Sequence, residues 1–397
     1  MNENKSFDAL NHAVKVLPGT RCIAPSTPTR QGLLPRSTRV PPSMASSLND
    51  QPSTVRGGEE LDLARLDAYL RQALPALQGS PRLRQFRGGA SNLTYQIDYA
   101  GRSLVLRRPP FGARHGSAHD MLREAAVMRA LAPVYRDVPQ VLAVCDDDAV
   151  LGCPFYVMQR IDGIILRREL PAGLSLGAAQ ARRLCLNVRD RLLELHAIDV
   201  HAAGLAALDR GDGYVRRQVD GWSERWRRAH TDDAPSFEPV LAWLQARQPA
   251  RDGAHCVIHN DFRFDNVVLE AADPLRIVGV LDWEMATVGD PLMDLGNALA
   301  YWIEADDDAA LQAMRRQPTH LPGMLRRDEV VAYYAERSGR AAADFDFYQV
   351  QGLFRLAVIA QQIYQRWRAG DARNPEFATL APLVAGLQRR CLALIDG

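Results

Sequence analysis

Between two short apolar runs, Cys256-Val257-Ile258 and Val267-Val268-Leu269, the chain carries His259-Asn260-Asp261-Phe262-Arg263-Phe264-Asp265-Asn266. The apolar runs have the length of buried strands, so the polar residues fall on a loop held at both ends. On such a loop a carboxylate can take a proton from a hydroxyl, and a carboxamide oxygen can ligate a hard cation. Further on, Ile277-Val278-Gly279-Val280-Leu281 is another apolar run and ends on Asp282-Trp283-Glu284. One base, one amide ligand and one further carboxylate are the minimum for metal-assisted phosphoryl transfer. A metal hydrolase built on His259, Asp261 and Asp282 is a competing reading, but it lacks the extra histidine ligands that such centres usually gather.

Elements upstream must present a phosphate donor to that loop. Residues 83–87, 95–99 and 103–108 read as strands, and Gly88-Gly89-Ala90-Ser91-Asn92-Leu93-Thr94 joins the first two. Paired glycines and small polar side chains in a hairpin let main-chain N–H groups approach phosphate oxygens. In the third strand Arg107 and Arg108 point to opposite faces, and Arg108 is expected in solvent. Residues 119–131 read as a helix with Glu124 among Met121, Leu122, Ala125 and Val127, a setting in which glutamate is more often solvated. Residues 141–145 and 155–161 complete a small sheet.

Taken in order, the glycine loop, the strand cation, the helix glutamate, H-N-D-F-R-F-D-N and D-W-E resemble the aminoglycoside phosphotransferase / choline kinase group. The similarity is greatest to the branch whose kinase-like domains are fused to, or encoded beside, acyl-CoA dehydrogenases, and it runs from about Phe86 to the last helix. It implies an α+β, protein-kinase-like fold of two lobes: a small antiparallel β-sheet lobe with one helix, and a larger, mainly helical lobe. It implies ATP and Mg2+ as cofactors. Asp261 would orient the acceptor hydroxyl and accept its proton, while Asn266 and Asp282 would hold the metal and Glu284 would border a second metal position. Gly88, Gly89, Ser91 and Asn92 would surround the phosphates. Arg107 stands where the wider fold has a phosphate-binding lysine, with Glu124 orienting it. Met158 would border adenine, and the main chain of Gln159 and Ile161 would hydrogen-bond it. His259 is expected to hold the loop rather than act as a base, and Arg263 either to neutralise the transferred phosphate or to pair with Asp265. Asn260 occupies a position where the group more often has Gly.

The partner implied is a small-molecule acceptor: first a hydroxylated acyl-CoA or related acid, second an aminoglycoside. An acyl-CoA dehydrogenase is the implied functional partner, and a nucleotide-binding pseudokinase or scaffold serving it is the reading of a different class. Lys+Arg 48 against Asp+Glu 47 gives a net charge of +1, which offers no bulk electrostatic case for nucleic acid or a membrane surface. Six scattered cysteines without a C-x-x-C pair suit reduced thiols in the cytoplasm. No apolar run approaches a membrane span on this reading, and the N-terminus lacks a signal-peptide core. The only lysines are Lys5 and Lys15, so every other permanent cation is arginine.

Residues 1–58, rich in Pro, Ser and Thr, read as a disordered arm, with a native start expected near Met44. Residues 59–162 are then the nucleotide-binding lobe and 163–397 the lobe of catalytic loop and acceptor helices. In the latter, 176–198 is a helix with His196 in a core or capping role. Residues 214–230 form a helix placing Arg216, Arg217, Arg225, Arg227 and Arg228 beside Trp222 and Trp226, an ordinary solvated face or a grip on an acidic acceptor. Asp290 and Pro291 start a helix, Asp294 braces the catalytic loop, and 304–308 is an exposed acidic loop. Helices at 326–338, 345–369 and 377–395 close the fold and shape the acceptor pocket.

Overall fold

The computed structural model describes residues 50–86, 92–112, 120–342, 344–370 and 374–397. Gly88, Gly89 and Ser91 lie outside the described residues, as does most of the expected arm. Its last part, 50–58, is docked instead of loose: Ser53 pairs with Gln85, and the Asp50 N–H donates to the Gly163 carbonyl at 3.1 Å.

Helix α1 (Leu63–Ala73) is capped by Asp62, whose carboxylate accepts from the Arg65 N–H. Strands β1 (Arg82–Gln85), β2 (Leu93–Tyr99), β3 (Arg102–Arg108), β4 (Val141–Cys145) and β5 (Phe155–Gln159) form one antiparallel sheet in the order β1-β2-β3-β5-β4. Helix α2 (Met121–Leu131) is capped by Asp120. Strand alternation sorts β3: Leu104 and Leu106 join the apolar cluster under α1, while Val105 joins the core shared with α2 and the helical lobe. Arg107 shares the face of Val105, which aims it at Glu124. Arg108 is a correction to the sequence reading. It is 4% exposed, its guanidinium covering the Phe111 ring at 3.9 Å and its Nε donating to the Pro109 carbonyl. An arginine with an aromatic face to cover need not reach solvent.

The larger lobe holds α3 (Ala178–His196), α4 (Tyr214–Ala229), α5 (Glu238–Arg247), α6 (Pro291–Ala300), α7 (Arg327–Ser338), α8 (Phe345–Arg368) and α9 (Leu380–Ile395). Helix α8 is the post against which α4, α5, α6 and α9 pack. Helix α5 escapes the sequence reading because apolar residues lie on both of its sides: Val240, Leu241 and Leu244 are buried and Trp243 partly so, while Pro239, Ala242 and Ala246 are exposed. Two further corrections belong here. Glu304 and Asp307 are not exposed; Glu304 accepts from the Arg327 N–H at 2.6 Å, and Asp307 takes Arg327 at 2.7 Å and Arg390 at 2.9 Å, so the acidic run anchors α7 and α9. Pro375–Ile395 is long and apolar enough to cross a membrane by length and composition, contrary to the sequence reading. In the fold its helix sets Val384, Leu387 and Cys391 into the core beside α8.

Every residue of α6 is buried. It crosses α8 where two glycines meet: a Cβ on Gly296 would lie 2.2 Å from the Tyr348 carbonyl oxygen, and one on Gly352 2.2 Å from that of Gly296. No rotamer relieves a clash with backbone. Gly352→Val is expected to cost about 1–3 kcal/mol of stability or more, as overpacking does, and denaturant titration measures it. An unchanged midpoint would mean that the helices separate freely at this crossing.

Candidate active site

Short strands decide which polar residues meet. β8 (Val267–Leu269) pairs antiparallel with β9 (Ile277–Val280), Val267 opposite Val280, so Asn266 enters one strand where Leu281 and Asp282 leave the other. The Asn266 carbonyl accepts from the Leu281 N–H at 2.8 Å. β6 (Ile164–Ile165) closes that sheet beside β8. β7 (Cys256–Ile258) pairs with β10 (Thr287–Gly289), which brings His259 and Asn260 against residues 285 and 286.

Asn260 has φ 65°. Asparagine tolerates this left-handed region better than other non-glycine residues, so the usual Gly of the motif is replaced by the next most permissive residue. Its side chain donates to the Met285 carbonyl at 3.0 Å and accepts from Asn297 at 3.1 Å. Asp294, wholly buried on α6, accepts the N–H groups of His259 and Asn260, each at 2.7 Å, and meets His196 Nε2 at 3.0 Å. Burial works to raise the Asp294 carboxyl, but the His196 bond, the electrostatic pull of the two imidazoles and the His259 N–H outweigh it and hold the group below its usual range. His259 is spent on structure: Nδ1 accepts the Asp261 N–H at 3.2 Å and Nε2 faces the Leu281 carbonyl at 3.0 Å, roles that one tautomer fills.

With the loop so held, Asp261 keeps 18% of its side chain in solvent. Its Oδ2 accepts from Asn266 Nδ2 at 2.9 Å and lies 3.1 Å from Arg263 Nη2. Its Oδ1 meets no donor among the described residues, which makes it the oxygen a hydroxyl can approach. Of the two alternatives for Arg263, the pairing with Asp265 is present, its Nε lying 3.3 Å away, and its guanidinium also covers the Tyr301 ring at 4.4 Å.

Arg107 is the second centre. Its Nη1 donates to Glu124 Oε1 at 2.8 Å, both Nη atoms reach Asp282 Oδ1 at 3.0 Å, and Nη2 reaches Glu284 Oε2 at 3.2 Å. Glu124 is 1% exposed, not solvated as helix glutamates usually are. Burial pushes its carboxyl up, the Arg107 charge opposing and that of Asp282 adding to the rise, while Arg107 stays charged. Three carboxylates gather around the Arg107 guanidinium, so the cluster is acidic on balance. Asp282 Oδ2 and Asn266 Oδ1 meet no protein donor among the described residues; both are hard oxygens brought together by the β8–β9 pairing, and they fit Mg2+. Asp282 has φ 67°, a second non-glycine residue in the left-handed region at this site.

The remaining sequence-derived positions divide. Asn92 is 1% exposed and donates to Glu284 Oε2 at 2.7 Å, tying the glycine-loop end of β2 to the D-W-E turn rather than standing open. Met158 is buried in β5, opposite Val105 and Val141. The Gln159 N–H donates to the Gln140 carbonyl at 2.8 Å, because the sheet pairing continues past the expected hinge, so that N–H is not available to a base. Ile161 packs over Gly279, and its main chain has no partner among the described residues. Arg123, beside Glu124, has a part that no motif signals: it donates to the Glu284 carbonyl at 3.1 Å and to that of Ala286, fixing the turn that carries Asp282.

A profile of the phosphotransferase enzyme family matches residues 82–330, a span holding every one of these groups. The chain belongs to that family. This phosphotransferase is 31% identical over 351 residues to acyl-CoA dehydrogenase family member 11 of Rattus norvegicus, the match covering 85% of the chain and 44% of that protein. It is 34% identical over 312 residues to family member 10 of Mus musculus, covering 78% of the chain and 29% of that protein. The chain thus spans less than half the length of these relatives. Among solved structures, a putative aminoglycoside phosphotransferase from Ralstonia eutropha superposes with TM-score 0.70 at 26% identity, over 84% of this chain and 99% of that one. An aminoglycoside phosphotransferase solved with AMP-PNP and hygromycin B superposes at 0.53 and 18% identity, over 83% and 97%, a likeness of fold alone.

The phosphotransferase anchors α4 through a titratable clasp. Asp252 accepts the Tyr214 and Val215 N–H groups at 2.7 and 3.0 Å, and His255 lies 3.0 Å from Asp209, 3.3 Å from Asp212 and 3.7 Å from Asp252. The hydrogen bond to Asp209 raises the His255 imidazole above its ordinary 6.5, burial opposing and the surrounding carboxylates assisting. A raised folded value stabilises in full below the unfolded value and fades as pH climbs through the folded one. His255→Ala is therefore expected to lower the denaturant midpoint at pH 5.5 and leave it nearly unchanged at pH 9. Equal losses at both would contradict the clasp.

Proposed function

We propose that this phosphotransferase moves the γ-phosphoryl group of ATP to the hydroxyl of a small molecule, with a hydroxylated acyl-CoA or related acid as the preferred acceptor. The observation that carries the reading is a set of three oxygens without donors among the described residues, Asp261 Oδ1, Asn266 Oδ1 and Asp282 Oδ2, on a loop and strand ends that the fold holds together. In the step, the acceptor oxygen bonds to the γ-phosphorus and the bond to the bridging oxygen breaks. ADP leaves with that electron pair, and the hydroxyl proton passes to Asp261. Asn266 and Asp282 would hold Mg2+, which supplies positive charge to the phosphate oxygens. Arg107, oriented by Glu124, adds a fixed cation for the phosphates, and Arg263 holds Asp261 in place. Residues 59–162 serve the nucleotide and 163–397 the acceptor, in a cytoplasmic protein working beside an acyl-CoA dehydrogenase. The names of the relatives support that partnership, and the nucleotide complexes of the neighbours support ATP.

A nucleotide-binding scaffold for the dehydrogenase is the second reading, favoured by the hold of Arg107 on Asp282. A thermal-shift titration with ATP, with and without Mg2+, tests the first requirement of both. Mg2+-dependent stabilisation by ATP is expected. Stabilisation indifferent to Mg2+ favours the scaffold, and no response at saturating nucleotide rejects both.

A further inference from the structure

Helix α8, which packs against α4 and α6, carries a cation that takes no part in the transfer step. Arg355, on α8, is 6% exposed, yet among the described residues it makes no hydrogen bond and no ion pair. Its one contact of note is the Trp222 ring of α4, 5.4 Å from guanidinium to centroid, and Arg225 lies over the same ring at 4.6 Å. Its nitrogens are not sealed from solvent, so an anion can still reach them. One turn back on the same face, Gln351 is 1% exposed with neither amide atom bonded, and across the glycine crossing Asn297 leaves its Oδ1 unbonded. Such a run of unsatisfied polar groups is rare in a plain core.

The place of Arg355 relative to the catalytic loop follows from two tyrosines. The Tyr301 hydroxyl lies within electrostatic range of Asp261, Arg263 and Arg355 together. The Tyr214 hydroxyl donates to Asn260 Oδ1 at 3.5 Å and lies within range of Arg355. Packing places Arg355 beside the catalytic loop: Gly352, one turn before it, touches Gly296 and Asn297 of α6, Asn297 donates to Asn260 Oδ1, and Trp222 lies on α4, whose Tyr214 reaches the same oxygen.

We propose that Arg355, backed by Trp222, is the specificity-determining residue of the acceptor site and takes an anionic group, a carboxylate or a phosphate, of the molecule whose hydroxyl faces Asp261. The proposal rests on the phosphotransfer reading and deepens it. A guanidinium set beside an indole can still offer two N–H groups to the paired oxygens of carboxylate or phosphate. Arg263 is already paired with Asp261 and Asp265, so of these side chains Arg355 carries the charge still open to an anion.

The test is calorimetric binding to the whole protein in the presence of Mg2+ and a non-hydrolysable ATP analogue. The probes are 3-hydroxybutyrate, its methyl ester, 3-hydroxybutyryl-CoA and kanamycin. The acid, the CoA ester or both are expected to bind more tightly than the neutral methyl ester, and Arg355→Met is expected to weaken them roughly 10- to 100-fold, the worth of one charge-assisted contact. Arg355→Lys should recover part of the loss, which separates lost charge from misfolding. Binding of the acid assigns the charge to a carboxylate, and binding of the CoA ester alone assigns it to phosphate. Equal binding of the methyl ester and the acid, anion binding unchanged in Arg355→Met, preference for kanamycin, or no binding of either anionic probe would each overturn the proposal. Because binding needs no turnover, anion capture by a protein that transfers nothing would keep the Arg355 site and reject the reaction.

Discussion

Asp261→Ala is expected to slow phosphoryl transfer roughly a hundredfold or more, the loss of about 3 kcal/mol of transition-state stabilisation that one placed catalytic group commonly supplies. Affinity for ATP should stay close to that of the parent. Asp261 takes no part in the Arg107 cluster; its partners are Asn266 and Arg263, and Arg263 retains Asp265 and the Tyr301 ring when Asp261 is removed. The loop itself survives, because Asp294 holds it through the main chain of His259 and Asn260. Single-turnover kinetics beside nucleotide titration separate the two quantities. Near-normal transfer in the variant would remove Asp261 from the reaction, and a parallel fall in ATP affinity would assign it to binding.

The second large effect falls on stability. Arg107→Met strands Glu124, Asp282 and Glu284 without their shared cation, and Glu124 is 1% exposed. Removing one partner of a buried pair commonly costs about 3–5 kcal/mol. The pH dependence has a fixed sign. Burial already raises the Glu124 carboxyl, and loss of the guanidinium charge raises it further. A carboxyl whose folded value exceeds its unfolded one helps the fold in acid and harms it as pH rises through that value. The variant should therefore lose more stability at pH 8 than at pH 5, and urea titration at the two values reads the difference. A loss independent of pH would place Glu124 outside the cluster's energetics. Arg107→Lys, which keeps a charge but reaches fewer carboxylates, should fall between parent and Arg107→Met.

The sequence reveals the machinery better than its fastening. Asp261, Asn266 and Asp282 are readable because apolar strands flank polar turns, a pattern with local cause. The Arg107–Glu124 pair is readable only through the order of motifs. Nothing in the neighbours of Glu124 shows that its helix face is covered by the D-W-E turn. The same blindness hides Arg123, whose guanidinium holds that turn from a helix far away in sequence. Arg108 and Glu304 defy the sequence reading because charge alone argues for solvent, whereas an aromatic cover or a partner supplied by tertiary contact draws the group inside. One further sheet hydrogen bond, from the Gln159 N–H to Gln140, is also set by a tertiary pairing that the local pattern does not show. Helix α5 lacks the one-sided stripe on which periodicity depends, and Arg355 lies outside every motif.

The most direct test follows the phosphoryl group itself. The protein is incubated with Mg2+, ATP carrying 18O in its γ-phosphoryl group, and 3-hydroxybutyryl-CoA, its free acid or kanamycin, and the products are weighed by mass spectrometry. ADP is expected together with a hydroxyl compound that has gained the labelled phosphoryl group, and neither product without Mg2+. ATP left intact with every acceptor, or label found only in inorganic phosphate, would contradict phosphoryl transfer to a small-molecule hydroxyl.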